Sequence, residues 1–184
     1  MRHGVTFAIF FVIVVHMKLT AWLFPGIHVY CHRMRDFVNT REFIWVYKTS
    51  TTSRVRCKFD SMRFIQPFFI VFNRTVLYNG VRTSVALRGH FSTRNTNRMY
   101  TMHAGRTIGI ESLFFKASDS SCAVILVQPL AERAAIYADL RVRNSAIRAG
   151  PTHMCTREFS RLYRRGGSML YSSNCSRELR NALM

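Results

Sequence analysis

From Phe43 onward the apolar residues come in short runs separated by polar breaks, with no sustained three-to-four-residue period. That pattern predicts strands rather than helices. Phe43 to Lys48 is one bulky run, and Thr49 to Ser53 breaks it. Val55–Met62 and the nearly continuous apolar stretch Pro67–Leu77 follow, and Asn79-Gly80 then supplies a two-residue hairpin turn into Val81–Leu87. Arg98–His103, Thr107–Lys116, Cys122–Val127 and Ala135–Arg143 complete eight predicted strands. Eight short strands with tight turns fit an up-and-down barrel or a sandwich. Beyond Arg143 the period changes. Cys155, Phe159, Leu162 and Tyr163 share one helical face, bounded by Pro151 ahead and Gly166-Gly167 behind. Such a helix would lie on the strand wall with Arg157, Arg161 and Arg164 turned outward. Met34 to Glu42 reads as a short helix or an irregular lead-in, with Asn39-Thr40 available as a cap before Arg41-Glu42.

The first residues change the picture of the compartment. Arg2 and His3 precede an uncharged run from Val5 to Val15, too short to span a bilayer and suited to the core of a signal peptide. We read residues 1–26 as that leader, with cleavage near Ala21 or Gly26, and 27–184 as one domain. Export would account for five cysteines without any CxxC pair. Cys57, Cys122, Cys155 and Cys175 can pair in three ways, which spacing alone does not resolve, and Cys31 is left free or available to link two chains. Without such a link a monomer is expected.

Charge then narrows the partners. The 184 residues carry 27 basic and 9 acidic side chains, a formal +18, yet are 48% hydrophobic. That composition predicts a folded core and anionic partners. A rival reading assigns a cationic surface role, with Arg54, Arg56, Arg63, Arg74, Arg82, Arg88, Arg94 and Arg98 engaging sulfated glycans or anionic membranes. Nucleic acid is not an expected partner of an exported chain. No GxSxG, HExxH, P-loop or GxGxxG motif occurs, so no enzyme activity, cofactor or metal is expected.

Several segments, in order, resemble a known family. They are Asp36-Phe-Val-Asn-Thr, Ile44-Trp-Val-Tyr-Lys, Cys57, Phe72-Asn-Arg, Tyr78-Asn-Gly, Cys122-Ala-Val-Ile-Leu-Val, Tyr137-Ala-Asp-Leu-Arg-Val-Arg-Asn-Ser, Gly150-Pro151, Cys155, Phe159 and Tyr171 to Cys175. Together they are similar to tick salivary lipocalins, the family of the tick histamine-binding proteins. The resemblance implies an all-β fold, an eight-stranded antiparallel barrel around a ligand cavity, with a C-terminal helix on its wall. It implies disulfides Cys57–Cys175 and Cys122–Cys155, and sequestration of small host mediators in evasion of host defence.

The amine-binding members carry an acid after the first cysteine of this half and a Glu-Leu-aromatic triplet before the second. Here 14 residues separate Val124 from Asp139, and 13 separate Arg141 from Cys155. The spacing is kept but the chemistry is not, because the first acid is Ala123, the Glu is Asp139 and the aromatic is Arg141. An ammonium guest in a low-dielectric cavity needs carboxylates and aromatic faces. The expected guest is therefore a small host mediator, either a biogenic amine or, favoured by the degraded amine pattern, an acidic lipid mediator. Composition alone turns the Tyr137, Asp139, Arg141, Arg143 face toward water; the resemblance turns it inward. In the second case Arg141 would hold a carboxylate by two hydrogen bonds, Asp139 would orient it, and the lipid tail would meet Phe68 to Phe72. Trp45, Tyr100 and Glu111 are further candidate ligand contacts, each with a plainer role in packing or at the surface. Asp119 reads as a turn residue. Asn73-Arg-Thr75 is an N-glycosylation sequon.

Overall fold

The computed structural model describes residues 32–163 and 167–182. The leader read over 1–26, Cys31, Arg164 and Gly166 lie outside them. The described chain runs α1 (Met34–Val38), β1 (Ile44–Thr49), β2 (Val55–Ile65), β3 (Phe69–Tyr78), β4 (Val81–Phe91), β5 (Arg98–His103), β6 (Arg106–Lys116), β7 (Cys122–Pro129), β8 (Tyr137–Arg143), α2 (His153–Leu162), β9 (Ser168–Met169) and α3 (Cys175–Asn181). Strands β2 to β8 pair in sequence order, every pair antiparallel. β1 closes the circle by pairing with β8 on one side and with β2 on the other. The result is an eight-stranded antiparallel barrel, and the short β9 pairs with the end of β1, at Lys48 and Thr49, beyond the stretch where β1 meets β2.

The predicted strands all form, with shifted ends. β4 continues past Leu87 because Gly89 sits inside the strand rather than ending it: a Cβ there would collide with Met99. Asn79 and Gly80 both have positive φ, the backbone of a two-residue hairpin turn, and Ala104-Gly105 repeats that arrangement between β5 and β6. The lead-in is helical only over α1; Thr40 caps nothing and instead accepts a hydrogen bond from the Glu42 amide.

Strand alternation separates two cores. Inside, Ile70, Phe72, Leu87, Met99, Leu113 and Ile125 fill one end of the barrel, and α1 plugs it with Met34, Phe37 and Val38. Outside, α2 and α3 cover the wall. Phe159 and Leu179 meet the outward faces of Ala138, Leu140, Val142, Val124 and Leu77. Both disulfides lie in this outer core: Cys57–Cys175 ties α3 to β2, and Cys122–Cys155 ties α2 to β7. Arg157 and Arg161 on α2 point to solvent as expected. The sequence led us to expect one C-terminal helix, and the structure has two; α3 follows directly from the Cys175 anchor.

Candidate functional site: a charged layer across the barrel

Opposite the plugged end, the β1–β2, β3–β4, β5–β6 and β7–β8 connections form the mouth. Between mouth and plug, six charged side chains cross the interior. β2 contributes Lys58 and Asp60, β3 Arg74, β6 Glu111, and β8 Asp139 and Arg141. Alternation explains the choice: Ile70, Phe72 and Arg74 share the inner face of β3, as do Asp139 and Arg141 on β8. A bulge at Cys57, with φ of 50°, turns its sulfur outward and leaves Lys58 facing in.

Arg141 is the hub. Its Nη1 lies 2.8 Å from Glu111 Oε2 and 3.3 Å from Asp60 Oδ2, and its Nη2 lies 3.4 Å from Asp139 Oδ2. Arg74 grips Asp60 with two parallel bonds of 2.7 Å, from Nε and Nη2, and stands 2.9 Å from Glu111 Oε1. Lys58 Nζ completes the set at 3.3 Å from Asp139 Oδ2. Three cations thus face three carboxylates, so the layer is neutral although the chain is strongly basic. The match is ionic rather than fully hydrogen-bonded: Asp139 Oδ1, Glu111 Oε2 and Arg141 Nε make no hydrogen bond among the described residues.

This geometry fixes the titration behaviour. Burial resists a charge on Glu111, but the Arg141 and Arg74 guanidiniums outweigh it and hold the carboxyl well below the ordinary carboxylate range. The same carboxylates keep Arg74 and Arg141 charged against burial, which works to discharge them. Tyr137, at the mouth above the layer, is pushed up to about 12 by burial and by the Asp139 charge, so its hydroxyl remains a donor at neutral pH. A carboxyl lowered on folding stabilises the fold above its unfolded value, near 4.3 for Glu, and loses that contribution as pH falls below it. Urea unfolding at pH 7 and at pH 3 should therefore show a steep drop in stability, and Glu111→Gln should shrink the difference between the two.

The layer divides the interior. Toward the plug only a cavity of about 20 Å³ remains, bordered by Ile44, Asp60, Met62, Phe72, Met99 and Arg141. That is room for about one water. Toward the mouth lies a pocket of about 390 Å³, lined by Thr49, Thr51, Ser53, Val55, Val76 and Leu170, with Lys58, Arg74 and Tyr137 at its charged end. Its size falls at the lower end of the range for small-molecule sites.

The expected site residues separate accordingly. Asp139, Arg141 and Glu111 are brought together inside, each at most 1% exposed. The inward reading of β8 is the one the structure adopts. Arg141, however, is enclosed by three carboxylates and has no face toward the mouth, so it is not placed to grip a guest. Trp45 is a correction: Ile44 and Val46 face in, so Trp45 faces out, packed on Phe59 and Tyr171 and donating from Nε1 to Asn144 Oδ1 at 2.9 Å. Tyr100 is another, outward between inward Met99 and Thr101 and 38% exposed. Phe68 to Phe72 does not receive a tail either. Ile70 and Phe72 are locked in the plugged core, while Phe68 is 66% exposed. Asn73 stands on the outer face of β3, half-buried between Ser61 and Ala86. Asp119 is a turn residue, accepting from the Ser121 amide and hydroxyl.

Sequence reasoning missed Lys58, Asp60 and Arg74, and counted Arg74 among surface arginines. The signal was present: Arg74 has the parity of Ile70 and Phe72, and an arginine on a core face calls for an inward acid. Ala123, where the amine-binding pattern has its first acid, is on the inner wall opposite Arg141.

No family model matches the chain, and no curated protein sequence matches it. Among solved structures it is similar to AM182 in complex with serotonin (16% identity, 73% of this chain and 85% of that one, TM-score 0.56). It is also similar to the siderocalin Ex-FABP (10% identity, 67% and 84%, TM-score 0.55). A third is Japanin of Rhipicephalus appendiculatus bound to cholesterol (6% identity, 72% and 95%, TM-score 0.54). At such identities the likeness is one of architecture, and that architecture is the lipocalin barrel.

Proposed function

We propose that this chain is a carrier rather than an enzyme, and that it sequesters a small molecule with an acidic end in the mouth pocket of its barrel. The carrying observation is the polarity of the charged layer as seen from the mouth. Lys58 and Arg74 border the pocket with side chains 12% and 16% exposed, while Glu111 and Asp139 beneath them are sealed at 1% and 0%. An entering guest meets cations first. Lys58 Nζ has three donors and gives one to Asp139; Arg74 binds its carboxylates through Nε and Nη2 and leaves Nη1 available. Tyr137 adds a hydroxyl donor. An ammonium guest would find every carboxylate already matched by a cation, which disfavours an amine.

The acidic-mediator reading is thereby moved from Arg141 to Lys58 and Arg74. Two features support action outside the cell: two disulfides, which persist in oxidising compartments, and the leader-like start. The resemblance to tick salivary lipocalins extends the proposal to capture of a host mediator in evasion of host defence. Isothermal titration with arachidonate and with histamine tests it. Arachidonate should bind, and Lys58→Met should weaken it by about tenfold or more, the worth of one charge-assisted hydrogen bond. Tight histamine binding with none for the fatty acid would overturn the reading.

A further inference from the structure

Between Asp60 and Glu111 the chain carries seven arginines and no acid. Arg74 is inside the barrel. Arg63, Arg88, Arg94 and Arg98 are exposed toward the plugged end, and none of them makes an ion pair among the described residues. They surround a continuous line of rings on the outer face of β2 to β5. Phe64 meets Phe69 edge to face at 6.0 Å, Phe69 meets His90 at 5.9 Å, and His90 pairs with Tyr100 on the next strand. The Arg88 guanidinium lies over the Phe69 ring at 4.1 Å, and Phe68 stands at the end of the β2–β3 hairpin. Phe64 is 48% and Phe68 66% exposed.

Exposed phenyl rings at a hairpin end, ringed by arginines that make no ion pair among the described residues, suit a partner better than bulk water. We infer that this face, Phe64, Phe68 and Phe69 with Arg63, Arg88, Arg94 and Arg98, docks on an anionic lipid bilayer. The arginines face the lipid phosphates and carboxylates, while the hairpin end sinks its rings to the boundary of the acyl chains. The charge complementarity is one-sided, because no carboxylate within this stretch opposes an acidic surface. Phenyl rings have no polar atom for sugar hydroxyls, and they stand on the outside of a hairpin rather than in a groove; both points favour lipid over a sulfated polysaccharide. The mouth pocket is at the other end of the barrel, so a guest could stay bound at the membrane.

Co-sedimentation of the full-length protein with phosphatidylcholine vesicles, with and without phosphatidylserine, tests this. Binding is expected only with phosphatidylserine. Each arginine near the surface is worth about fivefold, so Arg63→Gln with Arg88→Gln should weaken binding by roughly twentyfold. Phe64→Ser with Phe68→Ser should weaken it by about tenfold or more through lost apolar burial. Arg177→Gln with Arg180→Gln removes equal charge from α3, which packs near Leu77 at the far end of β3, and should change binding by less than about threefold if general charge is only long-range and screened. The inference is overturned if phosphatidylserine vesicles are not bound, if the phenyl pair loses nothing, or if the α3 pair loses as much as the patch. It is equally overturned if the patch arginines govern retention on heparin while vesicles are ignored. Arachidonate binding by the patch variants should equal that of the wild type, so this outcome is separate from the fate of the mouth pocket.

Discussion

Arg141→Met is expected to lower the stability of the barrel by about 3–5 kcal/mol, the usual consequence of removing one partner from a buried ionic group. In a domain of this size that corresponds to a fall of roughly 8–15 °C in Tm. The cause is local. Glu111, Asp139 and Asp60 converge on one guanidinium, and without it Arg74 and Lys58 face three carboxylates across a dry interior. The sharper form of the experiment adds a second change. Arg141→Met with Glu111→Leu removes one charge of each sign and leaves Lys58 and Arg74 matched to Asp60 and Asp139. Buried ion pairs replaced by apolar groups of similar volume are often neutral or stabilising, so the double variant should recover most of the loss. A double variant as unstable as Arg141→Met alone would mean that the charge balance is not what the layer contributes.

The second large effect concerns the outer wall. Loss of Cys57–Cys175, as Cys57→Ala with Cys175→Ala, should cost about 5 kcal/mol by the chain-entropy estimate, since it closes 118 positions. Loss of Cys122–Cys155, which closes 33 positions, should cost about 4 kcal/mol on the same estimate. Either is comparable to the whole net stability of many domains. The two differ in where the damage falls. Cys57 anchors α3 and the tail that supplies β9 to β1; Cys122 anchors α2 over β7 and β8. Denaturant unfolding with intrinsic Trp45 fluorescence reports the first well, because Trp45 packs directly on Tyr171 of the tail. A shift in native fluorescence should accompany the Cys57 change and be small for the Cys122 change.

These effects also show what the sequence could and could not tell. The strands were legible because their periodicity and turn residues are local, Asn79-Gly80 above all. The disulfide partners implied by the family resemblance are the ones formed. The inward orientation of Asp139 and Arg141 was legible through the same resemblance. What escaped was the pairing across the barrel. Asp60 and Arg74 are neighbours on adjacent strands, yet their link to Glu111 and Arg141 depends on closure of the sheet, which no local window contains. Hence Arg141 reads as open to a ligand although three carboxylates enclose it, and Arg74 reads as a surface residue although it lies inside. Trp45 and Tyr100 went wrong for a simpler reason: large aromatics attract a ligand-binding reading, while strand parity with Val46 and with Met99 places both outside. β4 runs past the Leu87 end expected for it because Gly89, within the strand, leaves room for Met99 where a side chain would collide.

We propose that the mouth pocket above the charged layer holds an acidic small molecule. Mass spectrometry of compounds released from the folded, purified protein tests this, comparing wild type with Val76→Trp, which fills that pocket from its wall. An acidic compound in stoichiometric amount is expected from the wild type, and little or none from the variant. Recovery of the same compound from both, or of a cationic amine from the wild type, would contradict it.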